Sequence, residues 1–494
     1  MDALFVRGRW RWGWIYALMC GALIAADSTY LAHHLPLSLA DDDLWQHLAA
    51  IQALIDNPLY PSNPFLISEQ PSRLFGPLWV GVALLCRAFY LNAQAGFVIG
   101  AALGMASLAA GAWLLGTARA NSPAGGFALL GAMLGGWLVP PCFTGYHNIL
   151  TLLVSGGYPA IVAVGASLML WGLSLRYLGD LRRSPSLGAA IVTIVVLGFA
   201  THPLGMAVGL AGAMLMAFSQ PDVDRAGRFG LALLIGVGLL ITAGWPWFNP
   251  LRVAASAISP EWEVGTNFYS PWWIAVTLFP AVVGLFGLLD RASRPLLALL
   301  MLCLAGYALA SSGRFIAGHR LLPWCALVLH VGLASLVLRC VRSTSRPAMV
   351  GQALVLGVLV LQALFVAQQL DQRDDAFHRD GDLLVAARAL TAHRAGRFAG
   401  YRNAAFPIAA LGIRPLVTSF AEPLVPDMRE RQRRSDRLFD PRLSRSARLA
   451  AARREGVRYL VIDRRFGTPY LRQRLEGQAA AVHPSGSLER IDLY

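Results

Sequence analysis

The sequence predicts an α-helical polytopic membrane protein with about thirteen transmembrane helices and a small C-terminal α/β soluble domain. Three observations carry that expectation. Of 494 residues, 56% are hydrophobic and only 14% charged, against roughly 25% charged in an ordinary soluble domain. Apolar runs of the length that crosses a hydrocarbon core, about 17–25 residues, recur between residues 12 and 369. After Leu370 the chain turns abruptly polar and arginine-rich. The expected domains are therefore 1–370, in the membrane, and 371–494, outside it.

The runs fall near 12–33, 75–91, 94–116, 124–141, 157–175, 187–200, 203–218, 229–247, 271–289, 295–311, 320–339 and 348–369. Arginines in the short connections set the orientation, because basic residues stay on the cytoplasmic side. These are Arg176, Arg182 and Arg183; Arg225 and Arg228; Arg291 and Arg294; and Arg339, Arg342 and Arg346. Arg7, Arg9 and Arg11 precede the first run, which resembles a signal peptide but reads as a retained helix because further spans follow. Counting alternately from the four connections places 142–156, 201–202, 248–270, 312–319 and all residues after 370 outside, while the N-terminus places 34–74 outside. The two counts differ by one crossing between 34 and 156. A short or broken helix near 148–155, or a re-entrant segment, is expected to supply it and bring the total to thirteen.

The net charge of +14 would suit nucleic acid in a soluble protein. Here the arginines occupy loops between spans, as topogenic charges do, so no nucleic-acid partner is expected. The six cysteines show neither a CxxC pair nor Cys/His ligand spacing, which implies no disulfide framework and no structural zinc. The chain has no P-loop, no Gly-x-Ser-x-Gly elbow and no His-Glu-x-x-His helix. In the last 120 or so residues, strands are expected at 397–400, 415–419, 458–462 and 488–493, and a helix at 444–454.

Polar residues on the outer side of this topology form the candidate site. Asp41, Asp42 and Asp43 stand together just before an amphipathic segment, 44–55. One aspartate suffices to cap a helix, whereas like-charged neighbours raise a carboxylate's pKa toward that of a useful base. With a helix from Leu44 onward, Asp43 and His47 share a face at i and i+4. His202, Glu261, Glu263, Arg314, His319 and Arg320 fall on the same outer side. Arg314 and Arg320 lie in a small-residue break between two apolar runs, where a guanidinium fork suits a phosphate. Glu261 and Glu263 stand among Trp262, Phe268, Tyr269, Trp272 and Trp273, which serve equally as a sugar-stacking surface or an interfacial belt. His202 and the Tyr146-His147-Asn148 triplet read as structural rather than catalytic.

The run Asp42-Asp43-Leu44-Trp45-Gln46-His47 after a first membrane helix resembles the outer loop of the GT-C class of integral membrane glycosyltransferases. The segments 51–57 and 58–64, Pro77, and the late strand 458–465 resemble the same layout. The chain departs from the dolichyl- and lipid-A-modifying branches of that class in lacking a clean Asp-Glu pair and a Glu-x-Pro-Pro signature, of which Glu69-Gln70-Pro71 is a loose echo, so sugar and acceptor stay open. The resemblance implies an inner-membrane enzyme, its site and C-terminal domain periplasmic. It would move a sugar from a polyprenyl-phosphate donor to a glycan, lipid or protein acceptor. The chemistry then needs a carboxylate to take the acceptor's proton and cations to neutralise the leaving phosphate. Asp42 or Asp43 is expected to be the base, Arg314, Arg320 and His319 to hold the phosphate, and Asp41, His47, His202, Glu261 and Glu263 to position substrate. One displacement inverts the anomeric centre. No cofactor is required; a divalent cation, Mg or Mn, is compatible with bridging the aspartates to the phosphate. Two other classes fit the composition: a transporter or flippase of a lipid-linked or anionic substrate, and a non-catalytic cell-envelope assembly protein.

Overall fold

The structure, a computed structural model, describes residues 2–34, 42–67, 70–138, 145–179, 184–219, 223–256, 279–312, 316–342, 382–391, 397–418, 422–464, 467–485 and 487–494, with a few single positions between 357 and 368. In chain order the helices begin with α1 (Asp2–His34), α2 (Asp42–Asp56), α3 (Pro77–Ala88), α4 (Ala93–Ala120), α5 (Ala124–Gly135) and α6 (Ile149–Ser155). There follow α7 (Pro159–Gly179), α8 (Pro185–Thr201), α9 (Pro203–Ser219), α10 (Arg225–Ala243), α11 (Pro250–Ser256), α12 (Arg294–Ser311) and α13 (Leu322–Arg342). The C-terminal part adds α14 (Asp382–Thr391), β1 (Arg397–Gly400), α15 (Met428–Leu438), α16 (Arg445–Glu455), β2 (Val457–Asp463), α17 (Pro469–Glu476), β3 (Ala481–Ser485) and β4 (Leu488–Asp492).

Contacts divide the chain into two units, 1–31 with 99–371, and 32–98 with 372–494. The C-terminal residues thus share their unit with the segment after the first helix, which the sequence groups with the membrane part. Six described helical segments are long and apolar enough to cross a membrane, within α1, α4, α7, α10, α12 and at 317–341. The chain is a multi-pass membrane protein. The apolar run at 75–91 contracts to α3, 12 residues or about 18 Å at 1.5 Å per residue, well short of a ~30 Å hydrocarbon core. The run at 124–141 holds α5, also 12 residues. The short helix expected near 148–155 is present as α6, at seven residues. Much of 348–369 and the first part of 271–289 lie outside the described residues.

In the first unit, glycine lets helices touch backbone to backbone, the usual way spans associate where no hydrophobic force separates helix from lipid. A Cβ on Gly111 of α4 would lie 2.7 Å from Leu168 Cβ of α7, and one on Gly165 of α7 would lie 2.5 Å from the Ser107 carbonyl carbon. Buried indoles add hydrogen bonds across the same bundle: Trp171 donates to Gly209 O at 2.7 Å. Tyr16 of α1 donates to Ala109 O at 2.8 Å. Gly165→Val is expected to destabilise the bundle by about 1–3 kcal/mol, read as a lower unfolding temperature in detergent. An unchanged temperature would mean that α4 and α7 separate without cost.

One end of this unit collects the basic connections. Leu175 of α7, Asp290 and Arg339 of α13 line one cavity with Arg119 of α4, and a Cβ on Gly230, near the start of α10, would meet the Tyr177 hydroxyl of α7 at 2.6 Å.

In the second unit a four-stranded sheet has the order β1-β2-β4-β3, with β1 parallel to β2 and the other pairs antiparallel. β2 is central, and along it only Arg458 is exposed. Three of the expected strands appear. Among the described residues of 415–419, which end at 418, there are only single bridges, Pro415 to Phe398 and Val417 to Leu66; Pro415 has no N–H for a ladder. β3 is not foreseen; it carries Pro484 and lies at a sheet edge, where proline is tolerated. Helix α16 matches the helix expected at 444–454. Ser444 caps it by accepting from the Ala447 N–H at 3.3 Å, and Gly456 ends it at φ +67°. The buried Arg448 of α16 donates to Gln478 Oε1 and Asp440 O, both at 2.9 Å, and to Leu438 O.

Candidate functional site

Helix α2 builds the first part of the site. It opens at Asp42, and Asp41 lies outside the described residues. Asp43 is half-buried in the first turn, where the helix dipole favours a carboxylate. One turn on, and on the same face, His47 is buried at 8% exposure. Trp79 of α3 donates its indole N–H to His47 Nδ1 at 3.2 Å. An indole nitrogen only donates, so Nδ1 carries the lone pair and the neutral ring holds its proton on Nε2. Phe97 of α4 stacks on Trp79 with centroids 6.0 Å apart. At the far end of α2, Arg87 Nη1 donates to Ile55 O at 3.0 Å and Asp56 O at 3.2 Å, placing a cation where the dipole wants one. The helix bearing Asp43 is thus tied to α3 at His47 and again at its C-terminal end.

The other described candidates belong to the first unit. His202 follows α8, and its Nδ1 accepts from the Gly205 N–H at 3.0 Å, which closes the turn into α9 as the structural reading expects. His319 and Arg320 sit in a 3₁₀ segment, Ile316–Leu321, that leads into α13. His319 is 9% exposed, its ring edge-on to Tyr307 of α12 at 5.5 Å. Arg320 is half-buried beside it. Glu261, Glu263 and Arg314 lie outside the described residues. Within single units, the structure thus brings together Asp43 with His47, and His319 with Arg320.

Three buried polar features go beyond the sequence reading, which took His147 as structural and did not name His330, Asp27 or Glu422. Where α5 ends, His147 Nε2 stands 3.1 Å from His330 Nδ1, and His330 Nε2 stands 3.2 Å from Gly136 O. A carbonyl only accepts, so His330 carries its proton on Nε2 and His147 donates to His330. Non-helical backbone within the bundle is tolerated there because the protein, not lipid, surrounds it. Asn148, in the triplet read as structural, caps α6 by accepting from the Thr151 N–H at 2.9 Å. Asp27 is 2% exposed within the first apolar run. In the second unit, Glu422 is 2% exposed, and each carboxylate oxygen accepts from the Arg73 N–H at 3.3 Å. Burial pushes its pKa up to about 7, against the opposing pull of Arg73, Ser72 and the Leu424 N–H. A lone histidine or acid in an apolar run is the only sign of the first two. Nothing local marks Glu422. Among the described residues no three His, Cys, Asp or Glu side chains stand close enough to share a metal ion.

No family model matches the sequence, and no curated relative does. Solved structures do match. ArnT from Cupriavidus metallidurans is similar over 98% of both chains, with a TM-score of 0.57 at 13% identity. The chain has the GT-C fold. The oligosaccharyltransferase of Archaeoglobus fulgidus shares this GT-C architecture with a TM-score of 0.55 at 13% identity, over 90% of this chain and 69% of that one. The arabinofuranosyltransferase AftD from mycobacteria has a TM-score of 0.53 at 17% identity and covers 96% of this chain, which spans 40% of AftD. At such identities the GT-C likeness is one of fold.

Proposed function

We propose that the protein is a glycosyltransferase that moves a sugar from a polyprenyl-phosphate donor to an acceptor hydroxyl or amide on the extracytoplasmic side of an inner membrane. The observation that carries this reading is the GT-C fold, matched end to end by ArnT. The Archaeoglobus oligosaccharyltransferase, in complex with an inhibitory peptide and a dolichol-phosphate, has a TM-score of 0.50 to this chain at 14% identity, so a related architecture holds a lipid phosphate.

In this reading Asp43, or Asp42 beside it, takes the acceptor's proton as the acceptor attacks the anomeric carbon. The bond from that carbon to the phosphate oxygen breaks, and the phosphate leaves with the electron pair, inverting the centre. Arg320, His319 and Arg314 supply positive charge to the departing phosphate, so no cofactor is required. His202 contacts sugar only through Nε2, since Nδ1 is engaged by Gly205; Asp41, His47, Glu261 and Glu263 complete the substrate-positioning set. Purified protein in liposomes with radiolabelled polyprenyl-phosphate sugars is expected to move label to a glycan, lipid or peptide acceptor. Label that crosses the bilayer still attached to its lipid would overturn the reading in favour of a flippase. Label neither transferred nor moved across a full donor panel would favour an assembly role.

A further inference from the structure

The end of the first unit that collects the basic connections contains a cavity of about 400 Å³. Its polar wall consists of Arg119 at the end of α4, Asp290 just before α12, and Arg339 at the end of α13. Arg119 Nη2 donates to Ser293 Oγ at 2.6 Å, while its Nε is buried and has no hydrogen-bond partner among the described residues. Asp290 is partly committed: Oδ1 accepts from the Ser293 N–H at 2.7 Å, and Oδ2 lies 3.9 Å from Arg339 Nη1. Arg339 Nη2 donates to Phe286 O at 3.0 Å. Two guanidiniums against one carboxylate leave this wall one positive charge in excess; the Arg339 and Asp290 side chains reach solvent, while the Arg119 Nε is buried.

The cavity is also lined by apolar side chains, Leu129, Leu175 and Leu338 among them. Beside the cavity α4 and α5 meet through Gly116 and Gly125, each of whose missing Cβ atoms would run into the other's carbonyl. A ligand that fits carries one negative charge with several acceptor oxygens, which suits a guanidinium fork, and joins it to a hydrocarbon portion. A phosphodiester lipid headgroup meets each requirement and brings the lining to neutrality. Inorganic phosphate meets only the first.

We propose that this cavity is a binding site for the phosphate headgroup of an anionic phospholipid, on the face of the bundle that carries the arginine-rich connections. It involves none of the residues assigned to sugar transfer. The test uses the full-length protein in nanodiscs of phosphatidylcholine, into which phosphatidylglycerol is titrated while thermal unfolding is followed. Phosphatidylglycerol is expected to raise the unfolding temperature at lipid fractions where added phosphatidylcholine does nothing. Arg119→Gln combined with Arg339→Gln should weaken that response at least tenfold, and Arg119→Lys with Arg339→Lys should restore part of it. Ala334→Phe leaves both arginines in place but fills the cavity, and should abolish the response too, which separates binding from any fold defect of the arginine variants. Equal responses to the two lipids, or an undiminished phosphatidylglycerol response in Ala334→Phe, would overturn the proposal. So would millimolar inorganic phosphate reproducing the shift in phosphatidylcholine discs, since the site would then take the free anion.

Discussion

Replacing Asp43 with asparagine is expected to lower sugar transfer by about 10²- to 10⁴-fold, the usual contribution of a positioned general base. The substitution keeps the size and shape of the side chain, and an amide still fits the first turn of α2. It forfeits the charge's favourable interaction with the helix dipole, about 0.3–1 kcal/mol. His47, Trp79 and Phe97 hold the helix one turn further on, so the fold should survive, as checked by the elution profile and helix content of the purified variant. Asp42→Asn serves as the partner measurement. If Asp42→Asn loses transfer and Asp43→Asn does not, the base moves one residue. Transfer within about threefold of wild type in both variants, which is under 1 kcal/mol of barrier, would remove the carboxylate from the mechanism.

The second large effect is on stability and concerns Glu422. Its carboxyl has a pKa of about 7 in the folded protein, against an ordinary value of 4.5, chiefly because it is buried. The folded state therefore binds more protons than the unfolded one between those values, and stability must fall as pH rises through that window. The stabilisation is fully present below about pH 4.5 and is lost as pH passes about 7; over the window it amounts to about 3 kcal/mol at 1.36 kcal/mol per pH unit. Burial also raises the carboxyl of Asp436, which acts in the same direction. Unfolding temperatures of the purified protein at pH 5.5 and 7.5 should differ, with the acidic sample higher. In Glu422→Gln most of that difference should vanish. A variant as pH-sensitive as wild type would show that other groups carry the effect.

The helices were legible because lipid demands long apolar runs, and α4, α7, α12 and α13 lie close to where hydropathy places them. The run at 75–91 folds as α3, which is shorter than the apolar run that contains it. α3 buries Trp79, Val80, Val82 and Cys86 within its own unit, while Leu84, Leu85 and Phe89 are exposed, so both faces are apolar and composition alone cannot tell the segment from a span. Tyr90, at φ +54°, breaks it instead. The i, i+4 relation of Asp43 and His47 followed from periodicity, whereas the indole that fixes His47 comes from a residue 32 positions away. His330 and Glu422 could not be read as sites, because their partners, Gly136 and Arg73, stand 194 and 349 residues away.

That last separation has a consequence for how the protein is made. The second unit is assembled from two distant stretches of chain: Phe65 O accepts from the Thr418 N–H at 2.8 Å, Leu66 bridges Val417, and Arg73 meets Glu422 349 residues later. At a synthesis rate of about 5–20 residues per second, residues 65 to 73 wait roughly 17–70 s after emerging from the ribosome before their partners exist. During that interval Leu66 has an unpaired edge and no apolar cover. The nascent protein must keep this early segment from pairing elsewhere until Val417 and Glu422 have been translated, and a chain truncated before Val417 would present it permanently to the quality-control machinery.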